Sequence, residues 1–272
     1  MTDHTVSRLD RTVLRLTGAD VRSFLQGIVT QNIDAVEDGA AVFSALLTPQ
    51  GKILFDFFIV DAGDALLIDC DAGAADAFSK RLRLYKLRAD VSIEKMETVG
   101  VIASATRPEG LCLAAFEDPR SPALGWRALM EDEAGGDASA YHNRRIAMGA
   151  PELGADFSAE DVFPLDVNYD LLNGVDYKKG CFVGQEVASR MKRKGEVRKR
   201  TIIAEFDGPA PQKAAPVVAD GSTLGEIMSV ADGKALALIR MDRWKTAADK
   251  GAPIECDGAA LRLVLPEYLE QN

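Results

Sequence analysis

One cysteine stands where its neighbours could make it reactive. Cys181 lies in the segment KGCFVGQE (residues 179–186), between two glycines and close to several basic residues. Glycine lets a backbone approach a ligand closely or adopt positive φ, and the residues that follow, Gln185 to Met191, favour a helix. A helix N-terminus and nearby cations both stabilise a thiolate. We therefore expect the pKa of Cys181 to lie below that of a free cysteine.

The sequence around the other three cysteines favours a structural role for them. Cys70, Cys112 and Cys256 each lie in an apolar segment that reads as a strand, which is typical of a small buried hydrophobic residue. The same interpretation stays open for Cys181. Because the four cysteines are scattered and never form C-x-x-C, we expect no stably bound metal ion or cluster.

Several polar residues are candidates for a binding pocket. Asp56 lies among phenylalanines that would bury it and raise its pKa, unless it is paired or simply faces solvent from an alternating strand. Arg145 could hold a carboxylate or phosphate in a bidentate pair, or it could be a charge on a helix surface. Gln26, Gln31 and Asn32 could offer neutral hydrogen-bonding groups to a ligand, or could serve as caps and loop residues.

The candidate site residues must be positioned by secondary structure. The sequence pattern in the first part of the chain predicts β-hairpins and helices. The predicted strands are Thr12 to Leu16, Ala41 to Leu47, Lys52 to Val60, Leu66 to Ile68, Val91 to Ile93, Val99 to Ala103, Leu111 to Phe116 and Gly125 to Met130. A helix is expected after Gly18, another over Ala74 to Arg88 with Leu84 and Leu87 on its core face, and a third over Tyr141 to Met148. Glu131 to Ser139 reads as an acidic loop.

The pattern changes near Gly195, where short strand candidates begin to follow one another at regular spacing. They are Val197 to Phe206, Pro216 to Val218, Thr223 to Val230, Lys234 to Arg240, Pro253 to Cys256 and Ala260 to Leu265. This spacing indicates a small β-barrel or sandwich. We expect an α+β region with antiparallel sheets over residues 1–195 and a β-rich domain over residues 196–272.

Four motifs resemble those of one known family, the YgfZ folate-binding proteins. The segment KGCFVGQE resembles the family's K-G-C-(F/Y)-x-G-Q-E. FLQGIVT (residues 24–30), LTPQGK (residues 47–52) and Arg145-Ile146 with Gly149 and Pro151 resemble its other signatures, in the expected order. The family is related to the glycine-cleavage T-protein and is involved in iron-sulfur cluster biogenesis.

The resemblance implies a ring of three lobes, in which two α+β lobes and a C-terminal β-barrel surround a folate site. It implies tetrahydrofolate, or a derivative of it, as the ligand, with iron-sulfur client enzymes or assembly proteins as partners. Cys181 is then the functional thiol, and Asp56 is a second candidate catalytic residue. The expected folate contacts are Gln26, Asn32, Asp56, Arg145, Lys179, Gly180, Gly184, Gln185 and Glu186.

Two departures argue against the chemistry of the enzyme relatives. The aminomethyltransferases have paired acids where this chain has Phe55 and Asp56, and a glutamate that engages the pterin where it has Ala147. Polar partners of a desolvated heterocycle are costly to lose. We therefore favour a folate-binding accessory protein for iron-sulfur cluster assembly or repair. A folate-dependent aminomethyltransferase is the alternative, and a cysteine nucleophile with His142 as its base is a third hypothesis.

Charge is distributed unevenly along the chain. The 272 residues carry a formal charge of −10, yet the stretch from Asp176 to Arg200 carries +6. This stretch could be a solvated helix end and edge strand, a site for the polyglutamate tail of folate, or an RNA contact. It has no aromatic residue between Phe182 and Phe206 on which bases could stack, so direct nucleic-acid binding is the weakest of these.

The sequence also gives an expectation of cellular location. The first ten residues lack the apolar core of a secretory signal, and the longest apolar runs are too short to cross a bilayer. With only two histidines, His4 and His142, a histidine-rich metal centre is not expected. We expect a cytoplasmic protein with reduced thiols and no membrane partner.

Overall fold

The computed structural model describes residues 6–37, 39–131, 137–193, 195 and 197–271. Residues 132–136 of the predicted acidic loop, residues 194 and 196 of the basic stretch, and His4 lie outside the described residues. Within these limits the chain forms antiparallel sheets with packed helices, followed by a closed barrel. The expected α+β fold with a C-terminal barrel is confirmed.

Strands and helices are mixed through the first part of the chain. In chain order they are β1 (Ser7–Leu9), β2 (Arg11–Thr17), α1 (Val21–Gln26), β3 (Ala41–Leu47), β4 (Ile53–Asp61), β5 (Leu66–Asp71), α2 (Ala75–Lys86), β6 (Ser92–Met96), β7 (Val99–Ser104), β8 (Ala114–Glu117), β9 (Trp126–Glu131), α3 (Ser139–Met148) and α4 (Gln185–Arg193). One antiparallel sheet has the strand order β3-β4-β5-β2-β6, and another has the order β1-β7-β9-β8. Sequence alternation located most of these strands but did not predict β1.

The last part of the chain closes into a barrel with the strand order β10-β13-β12-β11-β14-β15. Its elements are β10 (Lys199–Phe206), β11 (Pro216–Ala219), β12 (Ser222–Ala231), β13 (Lys234–Arg240), α5 (Met241–Asp249), β14 (Ile254–Cys256), β15 (Ala259–Val264) and α6 (Glu267–Glu270). Closure pairs every strand with two neighbours, so the barrel has no open edge. The helices α5 and α6 were not predicted from the sequence. The division of the chain at residue 195 stays a prediction.

A long segment between α3 and α4 is irregular and nevertheless buried. From residue 149 to residue 184, a fully described range, the chain forms turns and one isolated bridge instead of regular elements. Val167, Tyr169 and Leu172 are completely buried within it. Such a segment must satisfy its backbone through turns and side chains. It delivers the Cys181 segment to the start of α4.

Buried charges join the two sheets. Arg127 on β9 donates to Asp69 on β5 (2.9 Å), to Asp118 (3.2 Å) and to Glu152 (3.2 Å). Arg120 donates to Asp118 (2.7 Å) and to Glu152 (2.9 Å). Burial acts to raise the pKa of Glu152, but the neighbouring guanidinium groups, that of Arg120 foremost, hold it well below its ordinary value. We call these five residues the ion network.

Two local predictions are wrong. The buried face of α2 is formed by Ala75, Phe78 and Leu82, whereas Leu84 is 62% exposed and Leu87 is 86% exposed. Leu84 lies about 200° around the helix from Leu82, which turns it away from the sheet. Leu87 follows the end of the helix.

Candidate functional site

Cys181 is exposed on a short loop that precedes α4. We call residues 179–184 the cysteine loop. Phe182 next to the thiol is buried, while Gly180 on its other side is exposed. The alternative of a buried cysteine is therefore wrong for Cys181, because its side chain faces solvent while its neighbour packs into the core.

Lys179 anchors the beginning of the cysteine loop. Its Nζ donates to the backbone oxygens of Val29 (2.7 Å) and Gln31 (2.8 Å), and the residue is only 7% exposed. Burial lowers the pKa of this amine to about 8. The ammonium thus joins the KGCFVGQE motif to the end of the FLQGIVT motif. These contacts are internal to the chain, and the expected contact of Lys179 with a folate stays a prediction.

Gly184 anchors the other end of the cysteine loop against the LTPQGK turn. Its φ is +79°, and a Cβ built on it would lie 2.5 Å from the backbone oxygen of Thr48. Gly51 in that turn has a φ of +83°, and its own Cβ would meet Val187 of α4 at 2.9 Å. Both positions need glycine, because each has a positive φ and a Cβ there would lie too close to a neighbouring part of the chain, the Thr48 backbone at Gly184 and the Val187 side chain at Gly51. Gly180 is different, since its φ is not positive and nothing lies within 4 Å of its Cβ position.

Helix α4 carries the basic stretch away from the cysteine loop. Gln185 at its start donates to the backbone oxygen of Gly180 (3.4 Å), and Glu186 is exposed in the first turn. Arg190, Lys192 and Arg193 are exposed in its last turn. A basic surface therefore lies on the helix that begins four residues after the thiol.

The other cysteines differ from Cys181 in their exposure. Cys70 and Cys256 are buried, as expected, and burial raises the pKa of the Cys70 thiol to about 12. Cys112 is partly exposed and precedes β8, which begins only at Ala114. Its placement in a strand was therefore wrong.

Asp56 lies inside the protein, on β4. It is 2% exposed, and its Oδ2 accepts hydrogen bonds from the Tyr169 hydroxyl (2.6 Å) and from the Leu153 amide (2.8 Å). Its Oδ1 is buried without a partner in the described part of the chain. Burial raises the pKa of this carboxyl, although the Arg11 guanidinium acts in the opposite direction. The solvent-side alternative is wrong, and the contact with Tyr169, 113 residues away, had no signal in the sequence.

The side chains of Gln26 and Asn32 bind each other. Gln26 Nε2 donates to Asn32 Oδ1 (3.0 Å), and Gln26 Oε1 accepts from the Ile33 amide (2.8 Å). Asn32 Oδ1 also accepts from the Asp34 amide (3.1 Å), which caps the short 3₁₀ turn Ile33–Ala35. Gln31 donates to the backbone oxygen of Asn173 (2.7 Å). These contacts are the capping and loop roles that the sequence left open.

Arg145 lies on the buried side of α3. Its Nη1 pairs with Asp156 (2.6 Å), its Nε donates to His142 Nδ1 (3.0 Å), and its Nη2 donates to Ser229 Oγ on β12 (3.1 Å). The helix-surface alternative is therefore wrong, because the guanidinium links α3 to the barrel. His142 makes no contact with Cys181 in the described residues, which does not favour the cysteine–histidine hypothesis.

Taken together, these side chains fit a bound folate poorly. The polar groups of Gln26 and Arg145 already bind other parts of the chain, and Ala147 offers no side-chain acceptor for the pterin. Asp56 Oδ1 is the one expected contact atom that is buried and unpaired in the described residues. A desolvated pterin needs several polar partners. The side chains of Gln26, Arg145 and Ala147 therefore do not supply the polar partners that a folate needs.

Comparison with solved structures shows the fold. The chain superposes on the glycine cleavage system aminomethyltransferase T of Bartonella henselae with a TM-score of 0.73, over 99% of this chain and 87% of that one, at 17% identity. Residues 198–271 match the family described as CAF17, C-terminal beta-barrel domain. No helix in the described residues is long and apolar enough to span a membrane.

Curated relatives establish the family as well as the fold. The mitochondrial iron-sulfur cluster assembly factor IBA57 of Homo sapiens is 30% identical over 96% of this chain and 84% of its own length. The Mus musculus protein of the same name is 29% identical over 89% of this chain and 79% of its own length. Because these relatives are mitochondrial proteins, the expectation of a cytoplasmic location is wrong. At this identity and coverage, the chain belongs to the IBA57 family of iron-sulfur cluster assembly factors.

Proposed function

We propose that this protein is an accessory factor in iron-sulfur cluster assembly and that Cys181 is the residue that contacts the cluster. The observation that carries the proposal is the exposure of this thiol on a loop fixed at both ends. Its relatives are named as iron-sulfur cluster assembly factors. The cluster is the cargo here, delivered to client enzymes or assembly partners.

With one exposed thiol, this protein can supply only part of the ligand set of an iron-sulfur cluster. Iron-sulfur clusters usually take four thiolate ligands, whereas Cys70 and Cys256 are buried and Cys112 is only partly exposed. Cys181 therefore supplies one ligand, and the partner protein supplies the rest. Binding requires the thiolate, so a proton leaves Cys181 as the bond to iron forms.

Anchoring of the cysteine loop favours such a contact. A ligand on a rigid loop loses less conformational entropy on binding than one on a free segment. Lys179 fixes the loop before the thiol, and Gly184 fixes it after the thiol. The loop thus presents Cys181 without a conformational change in this chain.

The basic face of α4 supports an anionic partner. Arg190 and Arg193 are exposed on the helix that follows the cysteine loop, within a chain whose overall charge is −10. A cluster held by thiolates and an acidic carrier surface both carry negative charge, and a local positive field raises their rate of encounter. We propose that this face orients the partner toward Cys181.

Replacement of the thiol tests the proposal. In cells that lack their own copy of this factor, Cys181→Ser is expected to fail to restore the activity of cluster-dependent enzymes. Cys112→Ser is the matched control and should restore that activity. Circular dichroism must show that both variants fold. Full activity of Cys181→Ser would refute the thiol assignment.

Folate binding, which the family resemblance implied, stays a prediction. Titration of the purified protein with tetrahydrofolate tests it directly, because the polar groups of Gln26 and Arg145 already bind other parts of the chain. Binding at micromolar concentrations would support the prediction, and no binding at millimolar concentration would refute it. The alternative function, aminomethyl transfer, requires Asp56 as the acid poised at the folate nitrogen. Turnover of an aminomethyl donor, lost in Asp56→Asn, would favour it.

A further inference from the structure

The second half of α2 and the turn after it carry a concentration of positive charge. Residues 80–88 read KRLRLYKLR, with five basic residues and no acid, in a chain whose net charge is −10. None of the five cations forms an ion pair in the described part of the chain. Cations without acidic neighbours create a local positive field. We give the name α2 patch to the exposed and half-exposed residues of this segment other than the tyrosine: Lys80, Arg81, Arg83, Leu84, Lys86, Leu87 and Arg88.

Leu84 projects from the same side of α2 as the basic residues. At about 100° per residue, Lys80 and Leu84 lie roughly opposite the buried Leu82. Arg81 and Arg83 flank them, one on each side. Leu84 is 62% exposed. The outward face of the helix therefore combines an exposed leucine with three cations.

Leu87 holds a backbone conformation that is rare for a leucine. Its φ is +45° and its ψ is −103°, at the first central position of a turn in which the Ala89 amide donates to the Lys86 oxygen (2.7 Å). Turns with positive φ at this position favour glycine, and a branched side chain there is strained. The side chain is also 86% exposed, so internal packing does not repay the strain. Both observations point to a use for this leucine at the surface.

The mixture of leucines and cations distinguishes among anionic partners. The phosphates of a nucleic acid would pair with the cations and leave the leucines in water. A stable protein interface has a contiguous apolar centre, whereas here Leu84 and Leu87 are set among charges. At a lipid surface each leucine enters the interface separately, while the cations lie among the anionic headgroups. An anionic lipid surface therefore fits the α2 patch best.

We propose that the α2 patch binds the surface of an anionic lipid bilayer, with Leu84 and Leu87 entering its interfacial layer. The overall charge of −10 does not prevent this contact, because charges farther away than about 10 Å are largely screened at about 0.1 M salt. Contact with a bilayer surface needs no spanning helix. The proposal therefore differs from the sequence-based expectation of no membrane partner, which rested on the lengths of apolar runs. It does not depend on Cys181.

Co-sedimentation of the full chain with vesicles tests the proposal. One set of vesicles contains phosphatidylcholine alone, and the other contains equal amounts of phosphatidylcholine and phosphatidylglycerol. We expect binding to the second set only, and weaker binding as salt is added. The double change Lys80→Gln with Arg88→Gln should weaken it by about tenfold or more. Leu84→Gln should weaken it several-fold, because a leucine no longer enters the interface.

Exposed residues outside the α2 patch provide matched controls. Lys245→Gln and Leu111→Gln should leave vesicle binding unchanged. Leu87→Gly separates a lipid contact from a structural role. Because glycine suits the positive φ, this variant should unfold at the same denaturant concentration as the wild-type protein or higher, and yet bind the vesicles less tightly.

Four outcomes would overturn the proposal. They are the absence of binding to the phosphatidylglycerol vesicles, equal binding by the patch variants and the wild-type protein, equal losses in the patch and control variants, and a loss confined to the charge variant. In the first case, binding of duplex RNA or of a poly-glutamate peptide, lost in Lys80→Gln with Arg88→Gln, would assign the α2 patch to a nucleic acid or an acidic protein instead.

Discussion

The ammonium of Lys179 donates to the backbone oxygen of Val29, 150 residues earlier in the chain, at 2.7 Å. This bond joins the loop that carries Cys181 to the segment that follows α1. Through it, two motifs that are far apart in sequence become one structural unit.

Loss of this ammonium should loosen the cysteine loop. Lys179→Met removes two charge-assisted hydrogen bonds, and we expect the free energy of unfolding to fall by about 2 kcal/mol. Hydrogen exchange of residues 179–184 should also become faster. Lys178→Met, at the exposed neighbouring position, is the control, and equal effects of the two changes would contradict the anchoring role.

The same amine predicts a pH dependence. Its pKa is about 8 in the folded protein against an ordinary 10.5, so between these values the unfolded chain binds more protons than the native one. Stability therefore rises with pH across this window. Denaturation from pH 7.5 to 10 should show wild type gaining free energy of unfolding relative to Lys179→Met. A constant or shrinking difference would contradict the shift.

Two glycines of one loop should respond differently to alanine. Gly184→Ala places a methyl group 2.5 Å from the Thr48 oxygen at a φ of +79°, and we expect a loss of about 2 kcal/mol or more in urea denaturation. Gly180→Ala meets nothing within 4 Å and should change stability by less than about 0.5 kcal/mol. Equal losses at the two positions would contradict the close packing of Gly184 against the Thr48 backbone.

Thiol reagents should rank the cysteines by exposure. In the native protein, Cys181 should react first with Ellman's reagent, Cys112 more slowly, and Cys70 and Cys256 only after denaturation. Cys181→Ser should remove the fast phase alone. A fast phase that survives this substitution would show that another thiol is accessible.

The ion network predicts a large effect from a single substitution. Arg127→Met leaves Asp69 and Asp118 with one fewer cation inside the protein, so we expect a loss of about 3–5 kcal/mol in free energy of unfolding. Arg15→Met, which breaks a more exposed ion pair, should cost about 1 kcal/mol or less. Similar melting temperatures for the two variants would contradict the structural role of the network.

Local sequence patterns predicted much of the fold. Short apolar runs located β3 and β4, and the Pro and Gly residues located the Thr48 to Gly51 turn between them, because these signals depend on neighbouring residues alone. The same reasoning placed Leu84 on the wrong face of α2, where apolar residues occur on more than one side of the helix. Helix α5 was missed because its short amphipathic pattern follows directly on a strand.

The candidate site was only partly predictable. Its motifs identified the segment around Cys181, but the partners of Asp56 and Lys179 lie 97 to 150 residues away in sequence. Spacing in a single sequence carries no information about such contacts. For this reason Gln26 and Arg145 were expected to meet a ligand, whereas their polar groups meet other parts of the chain.

The ion network also constrains how the sequence can diverge. A change at Asp69, Asp118 or Glu152 leaves a buried guanidinium partly unpaired, so we expect it to survive in evolution only with a compensating change at a partner arginine, such as Arg120 or Arg127. These positions should consequently vary together among relatives, or not at all. A surface pair such as Arg15 and Asp64 carries no such restriction and is free to drift.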